Sequence, residues 1–256
     1  MIQSHDVYDS DAVILDLEDS VAVYDKDAAR ELVRSFLAAH RGNVEVFVRI
    51  NDVDSGHFHR DVSAVDDLAI NGYVLPKANP QAIDALAKAC NHPILPIIED
   101  PQAVLDAYAI VRHPQVKGAI LGAEDLTKEM MIERTSDGIE IHHVRSHLAL
   151  VCHALQKPFI DTPWTVVDDL DGLAKDASLA RSLGATGKAA IHPNHVALIN
   201  DLFGPSESAI RDAERILAKA SETGKGAFRL DGKMIDEPIV EKARRLIAAA
   251  ARYNKR

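Results

Sequence analysis

Covalent or metal staples are scarce in this 256-residue chain, which has only two cysteines, Cys90 and Cys152. Two cysteines cannot make a disulfide framework, and these two lack metal-ligand spacing. Both fall in amphipathic runs and are expected to pack in helices. No apolar run reaches the roughly 18 residues of a membrane helix. No charged-then-apolar leader opens the chain, so a soluble, cytoplasmic protein is expected. Basic clusters are also missing. Lysine and arginine total 29 against 39 acids, a formal net charge of −10. That balance disfavours a nucleic-acid backbone as partner. A small acidic molecule could still bind through a few local cations. No fixed-period repeat, low-complexity stretch or Gly-rich dinucleotide fingerprint is visible.

Present instead is a regular alternation. Short apolar, β-rich runs occupy 12–17, 44–50, 72–76, 94–99, 116–122, 157–161 and 185–191. Helical periodicity covers 27–40, 62–70, 80–90, 101–112, 140–156, 168–183, 193–202, 206–222 and 236–253. In "DAARELVRSFLAAH", Ala28, Leu32, Phe36 and Ala39 share one face. "NPQAIDALAKAC" and "DPQAVLDAYAIV" each open with an amide or acid before proline, which suits a helix start. Strands alternating with single helices imply right-handed βαβ units and a parallel sheet. Strands apolar throughout imply burial on both faces. A closed (β/α)8 barrel of TIM type is therefore expected over 1–205, with a helical extension over 206–256. Seven strands are legible where that barrel needs eight, so its first strand is expected to be missing from this chain.

Each apolar run delivers charge at its C-terminal end, where such barrels keep their chemistry. "AVILDLEDS" ends in Asp16, Glu18 and Asp19, "VEVFVRIN" in Arg49 and Asn51, and "GYVLPK" in Lys77. "ILPIIED" ends in Glu99 and Asp100, and "GAILGAEDL" in Glu124 and Asp125. Glu99 and Asp125, on neighbouring predicted strands, suit one hard cation. Mg²⁺ keeps several waters, so two protein carboxylates suffice. The plainer reading is two solvated acids. Arg49 ends an apolar run and needs an anion, either a ligand or a structural partner such as Asp16 or Glu18. Lys77 is read as a phosphate contact or a solvated lysine, and Asp161 as a thinly supported pocket residue. His192, in a loop before proline, is read as structural. His57, His59, His142, His143 and His147 have no metal spacing and are assigned to the surface. Asp236 is read either as a helix N-cap ahead of Pro238 or as a functional acid.

The motifs "DAVILDLEDSV", "VRIN", "LPK", "IIED", "GAEDL", "GKAAIHPNHVALINDLFGPS" and "DGKMIDEP" occur together and in order over nearly the whole chain. In this the sequence resembles the citrate lyase β-subunit-like family of the HpcH/HpaI aldolase superfamily, relatives of malyl-CoA and citramalyl-CoA lyases. The resemblance implies a Mg²⁺-dependent carbon–carbon lyase acting on a 3-hydroxy-acyl-CoA thioester, citramalyl-CoA first, then malyl-CoA or citryl-CoA. It implies Mg²⁺ on Glu99 and Asp125, and an acyl-CoA or 2-oxo acid as ligand. Arg49 would steady the thioester enolate, with Glu18 and Asp19 bonded around it. Related hydroxy-oxo-acid aldolases carry histidine after the glutamate, and Asp19 stands there instead, which favours the acyl-CoA branch. The resemblance further implies a homotrimer in which Asp236 completes a neighbour's site. Family members begin with one more strand and a loop that helps hold coenzyme A, so weakened coenzyme A binding is expected. The alternatives are a citrate lyase β subunit acting on a carrier-bound citryl thioester, and a catalytically weak scaffold.

Overall fold

A computed structural model of the protein describes residues 9–42, 44–224 and 226–253, and divides the chain into two compact units, one reaching Ile199 and one starting at Asn200. Residues 1–8, which open the stretch "MIQSHDVYDSD" that reads as helix-like in sequence, lie outside the described residues.

In the first unit, strands and helices alternate. They are β1 (Ala12–Asp16), α1 (Lys26–Ala39), β2 (Glu45–Arg49), α2 (Phe58–Val65), β3 (Gly72–Leu75), α3 (Pro80–Ala89), β4 (Ile94–Ile98), α4 (Pro101–Leu105), α5 (Ala107–Val111) and β5 (Ala119–Leu121). Then come α6 (Ala123–Glu129), α7 (His142–Ala154), β6 (Phe159–Asp161), α8 (Leu170–Ser182), β7 (Gly187–Lys188) and α9 (Val196–Phe203), which runs into the second unit. The seven strands pair in chain order as one curled parallel sheet. Register runs from Asp16 beside Arg49 to Asp161 beside Lys188, so successive strand ends converge on one rim.

The apolar character of the strands explains the burial. Val46, Val48, Tyr73, Leu75, Ile98 and Leu121 are buried. Phe47, Val74, Ile97 and Ile120 form one core layer across β2 to β5, joined by Leu95 and Ile160. Each such side chain contributes about 1.5–3 kcal/mol of burial free energy. The two proline-led helix starts behave as expected. Asn79 accepts a hydrogen bond from the Ala82 amide, and Asp100 accepts one from Ala103, with proline in the first turn of each helix. Both cysteines are buried, Cys90 directly after α3 and Cys152 within α7.

Three expectations need correction. The helix expected over 101–112 breaks at Asp106, whose ψ of 5° leaves the helical range. The acids of "GAEDL" sit in the first turn of α6, a seven-residue helix too short to show a period, and not on a strand. His147 is not a free surface residue, because its Nε2 meets the Val104 carbonyl at 3.1 Å.

The second unit contains α10 (Glu207–Thr223), an antiparallel hairpin of β8 (Ala227–Leu230) and β9 (Lys233–Asp236), and α11 (Glu237–Tyr253). Both helices are legible from sequence, but of the hairpin only a turn ahead of Asp236 is, because both strands are short and mostly exposed. Asp231 and Gly232, at φ 50° and 79°, make the reversal. Gly224, at φ 58°, ends α10 in the left-handed conformation. Among the described residues no helix is long and apolar enough to cross a membrane.

Candidate active site

The rim at β1 and β2 is built around Arg49. Its Nε and Nη2 donate to both oxygens of Asp16 at 2.7 and 2.5 Å. Its Nη1 lies 3.0 Å from Glu18 Oε2. Asp16 also accepts from the amides of Glu18 and Ser20, at 2.9 and 3.1 Å, which folds the chain tightly after β1. Burial works against the Asp16 charge, but Arg49 and these donors hold its pKa at about 2. The neighbouring carboxyl goes the other way. Burial raises Glu18 above the usual carboxylate range despite Arg49, and Asp19 and Asp16 add repulsion. Glu18 is 6% exposed, and its Oε2 receives no hydrogen bond. Asp19 is exposed beside it.

Glu99 follows β4 and is 7% exposed. One oxygen accepts the Lys77 amide at 2.6 Å. To aim that amide the chain places Lys77 at φ 48°, a conformation costly for a side-chain-bearing residue. Burial pushes the Glu99 pKa up to about 7, with Glu18 and Asp125 adding repulsion and Arg49 opposing it. Gly122, which follows β5, makes the space. A Cβ there would stand 2.6 Å from Glu99 Cβ and 2.8 Å from its Oε2.

A cleft of about 320 Å³ opens over this carboxylate, lined by Asp52, Lys77, Glu99, Asp125 and Lys128, among others. Lys77 Nζ reaches Asp52 at 3.1 Å, and Lys128 Nζ stands 3.4 Å from Asp125. Asp125 is half exposed, while its neighbour Glu124 turns to Arg134 at 3.0 Å. Among the described residues no three His, Cys, Asp or Glu side chains gather as a metal cage. Glu99 and Asp125 nevertheless fit a hard cation that keeps waters. Glu99 is a buried carboxylate with one oxygen free of hydrogen bonds, Asp125 acts on it electrostatically, and Gly122 leaves the room beside it.

Thus Arg49, Glu18 and Asp16 come together, and Glu99, Asp125 and Lys77 share the cleft. Asp236 lies in the second unit, exposed, where its Oδ1 accepts the Ile239 amide at 3.3 Å and caps α11. His192 is structural, with Nδ1 accepting the Asn194 amide at 3.3 Å.

Sequence reasoning missed two buried networks. Lys26, Asn51, Asp61 and Arg30 interlock beneath β1 and β2. At the other end of the sheet, Asp161 is fully buried and not part of the cleft lining. It accepts from Arg145 at 2.8 and 2.9 Å and from Lys188 at 2.7 Å, while Asp176 bonds to both cations. The available signal was a charge on the apolar face of a helix or within a strand, as at Arg145 and Lys188.

Comparison with known proteins agrees with this architecture. The family model described as HpcH/HpaI aldolase/citrate lyase matches residues 1–193. A citrate lyase subunit beta-like protein of Deinococcus radiodurans is 36% identical, over 94% of this chain and 89% of its own. A (3S)-malyl-CoA thioesterase of Cereibacter sphaeroides is 31% identical, over 94% and 87%. The crystal structure of CitE from Mycobacterium tuberculosis, in complex with magnesium, acetoacetate and coenzyme A, superposes with a TM-score of 0.83 at 28% identity, covering 94% of this chain and 90% of that one. The chain belongs to the HpcH/HpaI aldolase/citrate lyase family.

Proposed function

We propose that the protein is a Mg²⁺-dependent carbon–carbon lyase that cleaves citramalyl-CoA to acetyl-CoA and pyruvate, on a (β/α)8-type barrel whose strand ends form the site. Malyl-CoA and citryl-CoA are the next candidates. The observation that carries this is Arg49, paired with Asp16 and Glu18 and acting on buried Glu99.

Glu99 and Asp125 would hold the cation. When bound, Mg²⁺ supplies Lewis-acid polarisation of the substrate oxygen that becomes the oxo group. Glu18, its proton affinity raised by burial, takes the 3-hydroxyl proton. The oxygen's electrons form the new C=O bond of pyruvate, the bond between C2 and C3 breaks, and its electron pair moves onto the thioester as an enolate. Arg49 stabilises that enolate. Asp19 adds negative charge beside Arg49, behind the larger contributions of Asp16 and Glu18 that raise the Arg49 pKa against burial. Asp236 of a neighbouring subunit returns a proton to C2, giving acetyl-CoA, with the extension over 206–256 serving the neighbour in a closed homotrimer. Lys77 and Lys128 provide cations for the coenzyme A phosphates at the cleft.

The test is to incubate pure protein with Mg²⁺ and malyl-, citramalyl- or citryl-CoA and to follow acetyl-CoA and oxo acid together. Equal release of acetyl-CoA and pyruvate from citramalyl-CoA is expected. The 31% identity to a malyl-CoA thioesterase favours a second reading, hydrolysis of the thioester. Free coenzyme A and the intact hydroxy acid would establish it. With no turnover of any thioester, the lyase proposal fails, leaving a β subunit that needs a carrier-bound citryl group or a scaffold.

A further inference from the structure

Lys26 opens α1, the wrong end of a helix for a cation, because the helix dipole is positive there. It is also only 6% exposed. Yet among the described residues no carboxylate is bonded to its ammonium. Its three protons go instead to the carbonyls of Leu17 at 2.8 Å and Glu18 at 2.7 Å and to Asn51 Oδ1 at 2.8 Å. Burying a lysine at an unfavourable helix end is a poor way to hold a fold together. The three acceptors are neighbours of another kind. Leu17 and Glu18 are the first residues after β1, and Asn51 stands two residues beyond Arg49.

We infer that Lys26 is a positioning residue for the Glu18–Arg49 pair. The inference rests on the proposed role of that pair in catalysis. Lys26 pins the backbone of Glu18 from beneath, while Asp16 pins its amide from the rim. With both peptide groups fixed, the Glu18 carboxylate is confined to the direction of Arg49. Asn51 makes the fixation shared. Its Nδ2 donates to Leu17 O at 2.8 Å and to Asp61 Oδ2 at 2.6 Å, so β1 and β2 end in one knot.

The sheet itself does not need Lys26. Leu17 N donates to Arg49 O at 2.8 Å, and Arg30 holds Asp61 at 2.7 Å. Leu17 O keeps Asn51, and Glu18 O keeps the Val21 amide at 3.0 Å. A Lys26→Met variant therefore retains register and loses only the grip on the chain at Glu18.

Two measurements on the full-length, Mg²⁺-loaded protein test this. The first is amide exchange at Glu18, Ser20 and Val21, all hydrogen-bonded in the native structure. Exchange in Lys26→Met should accelerate about tenfold or more, with β1 and β2 unchanged. The second is a double-mutant cycle on citramalyl-CoA. Lys26→Met alone should lower kcat about 10- to 100-fold with KM nearly constant, since a misplaced group costs rate more than affinity. In a Glu18→Gln background the same change should cost less than about threefold, because the two act through one element. A full second loss would show that Lys26 acts elsewhere and overturn the inference. Unchanged exchange at Glu18 would overturn it whatever the activity. If wild-type protein turns over no thioester, the lyase reading falls while the exchange result still decides the role of Lys26. Should Lys26→Met fail to fold, Lys26→Gln carries the same two measurements.

Discussion

Two charged clusters lie at strand ends of one sheet, and protein surrounds them very differently. At β6 and β7, the side chains of Arg145, Asp161, Asp176 and Lys188 are at most 1% exposed. Burial opposes the charge on Arg145, yet Asp161 and Asp176 lift its pKa above the ordinary value. Two cations face two anions there, and the set is closed. At β1 and β2, Arg49 and Asp16 are about one-fifth exposed. Three acids, Asp16, Glu18 and Asp19, face one arginine, and the buried Glu18 Oε2 meets Arg49 as an ion pair at 3.0 Å without a hydrogen bond. The closed cluster is balanced in charge, although its buried Arg145 Nη1 donates no hydrogen bond. The open one carries excess negative charge beside a cleft whose own wall includes Glu99 and Asp125. Charge at a strand end is therefore not a functional mark until its partners are counted.

The largest effect on stability should come from the closed cluster. Lys188→Met leaves Asp161 and Asp176 in excess in a dry site, a loss of about 3–5 kcal/mol. Thermal unfolding should register it as a Tm lower by roughly 10 °C. A shift under a few degrees would mean that water reaches this cluster and that the contrast is false.

Arg49→Gln should do the reverse. The pair is partly solvated, so stability should fall by about 1 kcal/mol. Turnover of the thioester should fall roughly 10²–10³-fold. Steady-state kinetics beside a melting curve separates the two, and a variant that melts early but turns over normally would place Arg49 with the structural cluster.

Gly122→Ala sharpens the picture at the cleft. The backbone at φ −98° and ψ 79° tolerates alanine, so the change is crowding, against Glu99 and against Ile97 Cγ2 at 2.7 Å. Mg²⁺ affinity by calorimetry should drop roughly 10- to 100-fold, as for other displaced ligand supports. Unchanged affinity would remove Glu99 from the cation site.

The pH response should split the open rim in two. With a pKa of about 7, Glu99 binds a proton that competes with Mg²⁺. Affinity should fall towards about tenfold per pH unit below that value, and calorimetric titrations across about pH 5.5–8 would reveal it. The linkage to folding has the opposite sense. Because its folded pKa lies above 4.5, the stability contribution of Glu99 is complete below pH 4.5 and is lost as pH rises to about 7. Asp16, held at about 2, contributes above pH 3.8 and loses that contribution as pH falls towards 2.

The last stability change, comparable to that of Arg49→Gln, belongs to Asp236. Asp236→Ala removes the α11 cap and should cost about 1 kcal/mol. Asp236→Asn keeps an acceptor for the Ile239 amide while removing the acid. If Asn restores stability but not turnover, the carboxyl is chemical, and if it serves a neighbouring subunit, mixing Asp236→Asn with Asp125→Ala should recover activity in the re-equilibrated mixture. If Asn restores both, Asp236 is only a cap.

Sequence by itself determined the order of the seven parallel strands, because apolar runs of strand length are local properties of the chain. It also determined that charge collects after β1, β2, β3 and β4, since a buried strand can place charge only at its ends. Arg49, Glu99 and Asp125 were named as site residues by the resemblance to the family, and their roles are proposals. Partnership was left to the tertiary structure. Asp161 and Asp16 look alike in sequence, both ending apolar strands. One became sealed because Arg145, Asp176 and Lys188, 12 to 31 residues from their partners, fold onto it. Lys26 reads as an ordinary helix-start lysine, and only packing turns it inward beneath Glu18. Burial and ion pairing depend on which distant segments meet, and that is settled when the sheet curls and the helices close over it.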